Sequence, residues 1–210
     1  MALLSQSLDF LDLGSAALGA GVPAEWEVRP VRGYPAPTLT ITDAGGVRAL
    51  RIAGSGSAAF VYRELDRPIR EVSGSLKWTW RVLRTPKGAD LRSPETDDAG
   101  LRVFVVFGKP GGLFGGSGRV VFYTWGNTEP IGLSQPSFAS GRIQIVRVAG
   151  AEDVEDGWRE EIVDPFADYR RFWNRNPPPI TRVGIMQDTD MTKSPASAEL
   201  SSLIWETGGE

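Results

Sequence analysis

Apolar and polar residues alternate with a period of two through segment after segment of this chain, and Gly- or Pro-rich turns separate the segments. Thr38–Thr42 and Val47–Ala53 flank Asp43-Ala44-Gly45-Gly46, which predicts a hairpin. Ala58–Leu65 follows, and then Ser75–Leu83, where Leu76, Trp78, Trp80 and Val82 share one face. Leu101–Gly108 is so rich in Val and Phe that it reads as a central strand covered on both faces. Arg119–Gly126, Gly141–Ala149, Ile180–Gln187 and Glu199–Trp205 complete the set. One segment follows helical spacing instead. In Asp164–Trp173 the residues Phe166, Tyr169, Arg170 and Trp173 recur three or four apart, Asp164 is a candidate N-cap, and Pro177-Pro178-Pro179 stops the run.

About ten strands linked by turns predict an all-β fold, a two-sheet antiparallel β-sandwich with one short helix. No repeat of propeller or solenoid period is present. At 210 residues the chain reads as one domain, 1–210, with its core over about 26–205. Two loops are long for a sandwich, the acid-bearing Arg84–Asp98 and the Gly-rich Lys109–Gly118, and long loops tend to carry function. The acidic run Glu152-Asp153-Val154-Glu155-Asp156 reads as a solvated hairpin tip.

Composition then narrows the chemistry. With Cys 0 and His 0, the chain has no thiol nucleophile, no disulfide, no Cys/His zinc site and no His-containing triad. Carboxylate, Tyr, Lys and Arg chemistry remains, together with oxygen-ligated metals. A net charge of −3 argues against nucleic acid as a partner. No apolar run reaches the roughly 20 residues of a membrane helix, so no membrane insertion is expected. The start, Met1-Ala2-Leu3-Leu4-Ser5-Gln6-Ser7-Leu8-Asp9, lacks the basic n-region of a signal peptide. Of the 23 basic residues only Lys77, Lys87, Lys109 and Lys193 are lysine. The rest, arginine, suit forked bonds to carboxylates and stacking on rings, although GC-rich coding alone also produces such a bias.

Four groups of residues could carry function. Arg102 shares a side with Phe104 and Val106 on a strand of apolar residues. Such a charge either bonds a structural carboxylate within the sandwich or lines a concave sheet beside Tyr123 and receives a polar ligand. Trp78, Trp80, Tyr123 and Trp125 could stack on a sugar ring, although core packing is the commoner fate of strand aromatics. Trp125 is the best exception, because Gly126-Asn127 follows at once and places it at a strand end. The acids gather at two points, Asp90, Glu95, Asp97 and Asp98 in the long loop and Asp188 with Asp190 after a strand. Asp97, Asp188 and Asp190 are candidate ligands of a Ca²⁺ cofactor, since hard oxygen donors suit that ion, although most short acidic clusters form turns, caps and Arg pairs. Gly111–Gly118 is no phosphate loop, because neither a Lys-Thr/Ser pair nor a helix follows it. It reads as a flexible hairpin loop, with Leu113 and Phe114 folding over the rim.

Four blocks occur in order: Trp78-Thr79-Trp80-Arg81-Val82, Asp97 through Phe107, Tyr123-Thr124-Trp125-Gly126-Asn127 and Gly184 through Asp190. Together they resemble a bacterial family known only as a domain of unknown function. The resemblance implies a jelly-roll sandwich similar to galactose-binding-like domains, and export from the cytoplasm; it implies no activity. Two positions depart from the pattern, Gln187 and Met191 standing where Thr and Asn are expected. The leading functional expectation is a non-catalytic module that binds a glycan or related polar ligand through Arg102, Tyr123, Trp125 and Asp98. The alternatives are a carbohydrate-active enzyme or a structural protein that pairs its sheets with a partner. As a lyase it would use Tyr123 as base with Arg102 on a uronate; as a hydrolase it would use Asp98 and Asp188.

Overall fold

The computed structural model describes residues 7–70, 74–109 and 118–207. Within them the period-two segments become two facing sheets. One contains β1 (Ser7–Asp9), β3 (Thr38–Asp43), β4 (Arg48–Gly54), β6 (Gly74–Arg84), β11 (Arg159–Val163) and β13 (Ala196–Thr207). Its order is β11-β6-β13-β4-β3, with β1 beside β13. The other contains β2 (Trp26–Pro30), β5 (Ala58–Ile69), β7 (Ala99–Phe107), β8 (Arg119–Trp125), β9 (Ser134–Ser137), β10 (Ser140–Ala149) and β12 (Ile180–Asp188). Its order is β2-β5-β12-β7-β8-β10-β9. The architecture is a jelly-roll β-sandwich with one α-helix, α1 (Pro165–Trp173).

One pair departs from the antiparallel expectation: β8 and β10 run parallel. Residues 126–139 carry the chain back to the end where β8 began, and β9 then pairs antiparallel with β10 as the sheet edge. Parallel neighbours need such a return connection, whereas a tight hairpin produces only antiparallel ones.

The core fills the space between the sheets. Trp78 and Trp80 of β6 cross edge to face at 5.5 Å, as expected of one strand face, and both are fully buried. The predicted helix exists because both of its ends are satisfied. Asp164 Oδ1 accepts from the Phe166 and Ala167 amides at 2.9 and 3.0 Å, Pro165 occupies the first turn, and Asn174 closes the last turn at φ 48°. Phe166 and Tyr169 of α1 pack on Phe107 and plug one end of the sandwich.

The acidic run at 152–156 is solvated only in part: Glu152 and Glu155 are exposed, as their charge predicts, but Asp153 is not. Ala151–Asp156 is a 3₁₀ turn in which Asp153 is buried, accepting from the Gly150 amide at 2.8 Å and from Arg159 Nη1 at 2.7 Å. Glu152 bonds Arg147. The acids there pair with two arginines from different sheets, Arg147 of β10 and Arg159 of β11. The expected folding of Leu113 and Phe114 over the rim concerns residues outside those described. Among the described residues, no helix is long and apolar enough to cross a membrane.

Tyr123 ties the helix to the interior. Its hydroxyl donates to Asp168 Oδ2 at 2.7 Å, and burial followed by the Asp168 charge holds its pKa well above the usual phenol value. Burial also raises the Asp168 carboxyl, and its bonds to Tyr123 and Arg171 offset this only in part. A carboxyl whose folded pKa is raised stabilises fully below the ordinary carboxylate pKa and loses that contribution as pH rises through the folded value. The wild type should therefore lose stability relative to Asp168→Asn as pH climbs from about 4 toward neutrality. Urea denaturation of both chains across that range measures it; a difference independent of pH would contradict the raised carboxyl.

Candidate functional site

The outer face of the seven-stranded sheet carries its own apolar cluster. Phe60, Phe104 and Phe122 come from β5, β7 and β8, with Phe104 edge-on to both of the others at 5.9 and 5.5 Å. Gly184 of β12 permits this packing, because a Cβ there would lie 2.7 Å from Phe104 Cζ and 2.5 Å from the Val61 carbonyl. Toward the end where β7 begins and β12 ends, this face opens into a groove of about 600 Å³. Phe60, Phe122, Ile143 and Met186 form its apolar floor; Arg102, Asp97, Asp188 and Asp190 form its polar head. Phe138 and Met191 stand at the rim, 50% and 47% exposed.

Register decides which residues reach the groove. Arg102 of β7 pairs with Thr124 of β8, and directly opposed residues share a face. Tyr123 therefore pairs with Val103 and points between the sheets with Trp125. Both are completely buried, Tyr123 at 5.5 Å from Trp78 and Trp125 at 5.3 Å from Trp80. This corrects the expected shared face of Arg102, Tyr123 and Trp125. Being next to Gly126 does not carry the indole past the strand end, because the inward face of β8 continues to its last residue. The same placement removes Tyr123 from any role as a base at the groove.

Arg102 is the expected residue in an unexpected setting. It lies on the outer face rather than inside the sandwich, yet its charge is taken up by structural carboxylates. Nη2 donates to Asp97 Oδ1 at 2.8 Å and to the Asp97 carbonyl at 3.0 Å, and Nη1 donates to Asp188 Oδ2 at 3.2 Å. The guanidinium lies 5.5 Å from the Phe122 ring centre. Burial opposes its charge, but the surrounding aspartates hold its pKa above the ordinary value.

The four aspartates divide otherwise than their spacing suggested. Asp97, expected among metal ligands, serves Arg102, and burial raises its carboxyl. Asp98, expected to meet a ligand, is fully buried and staples the loop after β12 to the start of β7. Its Oδ1 accepts from the Met191 amide at 3.2 Å, and its Oδ2 accepts from the Thr192 amide and hydroxyl at 2.7 and 2.5 Å. With both oxygens so engaged, Asp98 is poorly placed to attack a sugar. Asp188 and Asp190 converge on it, each offering an oxygen within 4.8 Å of the others. Burial pushes the Asp188 carboxyl well above the usual range despite Arg102, and the neighbouring Asp190 adds to the rise.

Phe138, Phe122, Met186 and Ile143 had no place among the sequence candidates. Phe138 had left one usable signal: it stands in Ser137-Phe138-Ala139-Ser140, a polar turn in which a large ring has little to pack on.

The fold is a β-sandwich of the kind found in carbohydrate-binding modules. The chain belongs to the family described as "Protein of unknown function (DUF3047)", which matches residues 24–204. Among solved structures it is similar to the family 11 carbohydrate-binding module of the cellulosomal cellulase Lic26A-Cel5E of Clostridium thermocellum. The TM-score is 0.53 at 10% identity, over 100% of this chain and 98% of that one. The Clostridium thermocellum family 11 module in complex with a β-1,3-1,4-mixed-linked tetrasaccharide gives a TM-score of 0.51 at 9% identity, over 99% and 98% of the two chains. At such identities the likeness is one of fold. No curated protein matches the sequence.

Proposed function

We propose that this chain is a carbohydrate-binding module that holds a neutral glycan in the groove on the outer face of its seven-stranded sheet. The observation that carries this reading is the half-exposed Phe138 standing over an apolar floor with a carboxylate-rich head. A ring at the rim stacks on the apolar face of a pyranose, and carboxylates accept charge-assisted hydrogen bonds from sugar hydroxyls. The fold shared with a module solved on a mixed-linked tetrasaccharide supports the same ligand class. Charge selects within that class. In the metal-free chain Asp97, Asp98, Asp188 and Asp190 surround Arg102, the cation lining this groove among the described residues, so a uronate carboxylate would meet repulsion.

Titration calorimetry with a neutral mixed-linked β-glucan tetrasaccharide and with an oligogalacturonate tests both parts. With EDTA present, so that no cation offsets the aspartates, the neutral sugar should bind and the acidic one should not. Phe138→Ala should weaken binding by roughly five- to tenfold, the loss of a stacking contact on the order of 1 kcal/mol, at an unchanged melting temperature. A glycan array blank for neutral sugars, or full affinity in Phe138→Ala, would end this reading.

A further inference from the structure

We infer that Asp98, Asp188 and Asp190 form a site for one hard divalent cation, Ca²⁺ by its ligand chemistry, at the head of the groove. This inference stands apart from the glycan reading and needs no sugar.

The first observation is geometric. One carboxylate oxygen from each residue lies within 4.8 Å of the other two, and all three residues are buried. Three oxygens spread evenly around one Ca²⁺ at about 2.3–2.6 Å stand roughly 4.0–4.5 Å apart, so a trio whose members lie within 4.8 Å of one another is close to the spacing a single ion needs. The segments holding them are fixed independently. Asp98, just before β7, is bonded to the 191 and 192 amides, while Thr189 donates to the Ser57 carbonyl at 3.0 Å and accepts from the Ser57 amide at 3.1 Å. Donors held this way are preorganised for a ligand.

The second observation is an oxygen without a donor. Asp188 is 9% exposed; its Oδ2 takes Arg102 Nη1, but Oδ1 is shielded from solvent and no donor among the described residues reaches it. An ionised buried acceptor left this way is costly, and without a cation it is relieved only by a proton shared between Asp188 and Asp190. Charge points the same way. Four aspartates meet one guanidinium, and Arg102 already spends one nitrogen on Asp97. A divalent ion supplies the missing positive charge and the missing partner together. Three carboxylates and a chain without His or Cys exclude a soft-metal set. They leave the ion's remaining positions to water on the groove side, where Asp188 and Asp190 line the wall.

Calorimetric titration of the metal-free protein with CaCl₂ alone, and thermal melts in CaCl₂ against EDTA with NaCl at matched ionic strength, decide the matter. One ion should bind per chain, and at a hundredfold excess over Kd the melting temperature should rise by roughly 5–10 °C. Asp190→Asn should abolish the rise, yet melt in EDTA at or above the wild type, because it removes one like charge. Should that variant fail to fold, Asp188→Asn serves for the same comparison. Absence of both heat and shift in the wild type overturns the site. So does a full Ca²⁺ shift in a folded Asn variant, which would place the ion elsewhere.

Discussion

Trp125→Ala is expected to destabilise the folded chain by about 3–5 kcal/mol, a fall in melting temperature of roughly 6–20 °C, without any selective effect on ligand binding. The indole is completely buried and meets Trp80 edge to face, and Trp80 in turn crosses Trp78. Truncation would remove one end of an aromatic row that joins β8 to β6 across the sandwich. The space left is bounded by strands bonded on both sides, which have little freedom to close it. Chemical denaturation and glycan titration of the same sample separate the two roles. A loss of affinity in a variant that melts like the wild type would return Trp125 to the ligand face. The structure leads us to expect the reverse, a large drop in stability with unchanged affinity in whatever remains folded.

That reversal shows where the sequence stops being informative. Alternation within one strand is local, and it correctly put Leu76, Trp78, Trp80 and Val82 on one side of β6, and Val121, Tyr123 and Trp125 on one side of β8. Which side faces the partner sheet is set by register with a neighbouring strand, and a shift of one residue exchanges the faces. Nothing in the local pattern of β7 and β8 fixes Arg102 opposite Thr124 rather than Tyr123. Both faces of β7 are buried and apolar, so polarity offers no guide there. The short edge elements were harder still. β2, β9 and β11 carry few consecutive buried residues, and β2 and β11 pair with strands far away in sequence. The helix was legible because its signals are local: an N-cap, a Pro in the first turn and ring spacing of three or four. The acids were legible as a group, because two short stretches contain all four. Their division of labour was not, since it depends on β7 and β12 lying side by side.

Arg102→Ala should cost about 3–5 kcal/mol near neutral pH, because it removes the one cation from a pocket of buried carboxylates. The Asp188 carboxylate would lose its bond at 3.2 Å and Asp97 its bond at 2.8 Å, and neither is open enough to water to recover the difference. Part of any loss would come from the aliphatic stem packed near Phe122, so the alanine variant alone does not isolate the charge. The double variant Arg102→Ala, Asp188→Asn does. If uncompensated charge is the main cost, the second substitution should restore a substantial part of the stability lost by the first, although it removes a further group from the same network. A double variant no more stable than the single one would assign the cost to packing. Chemical denaturation in EDTA keeps bound cations out of the comparison. The outcome also bears on the groove, because Arg102 fixes Asp97 and Asp188 on its wall. An arginine that acts by holding two carboxylates in place should lower glycan affinity when it is lost, even though its own nitrogens are already engaged by protein oxygens.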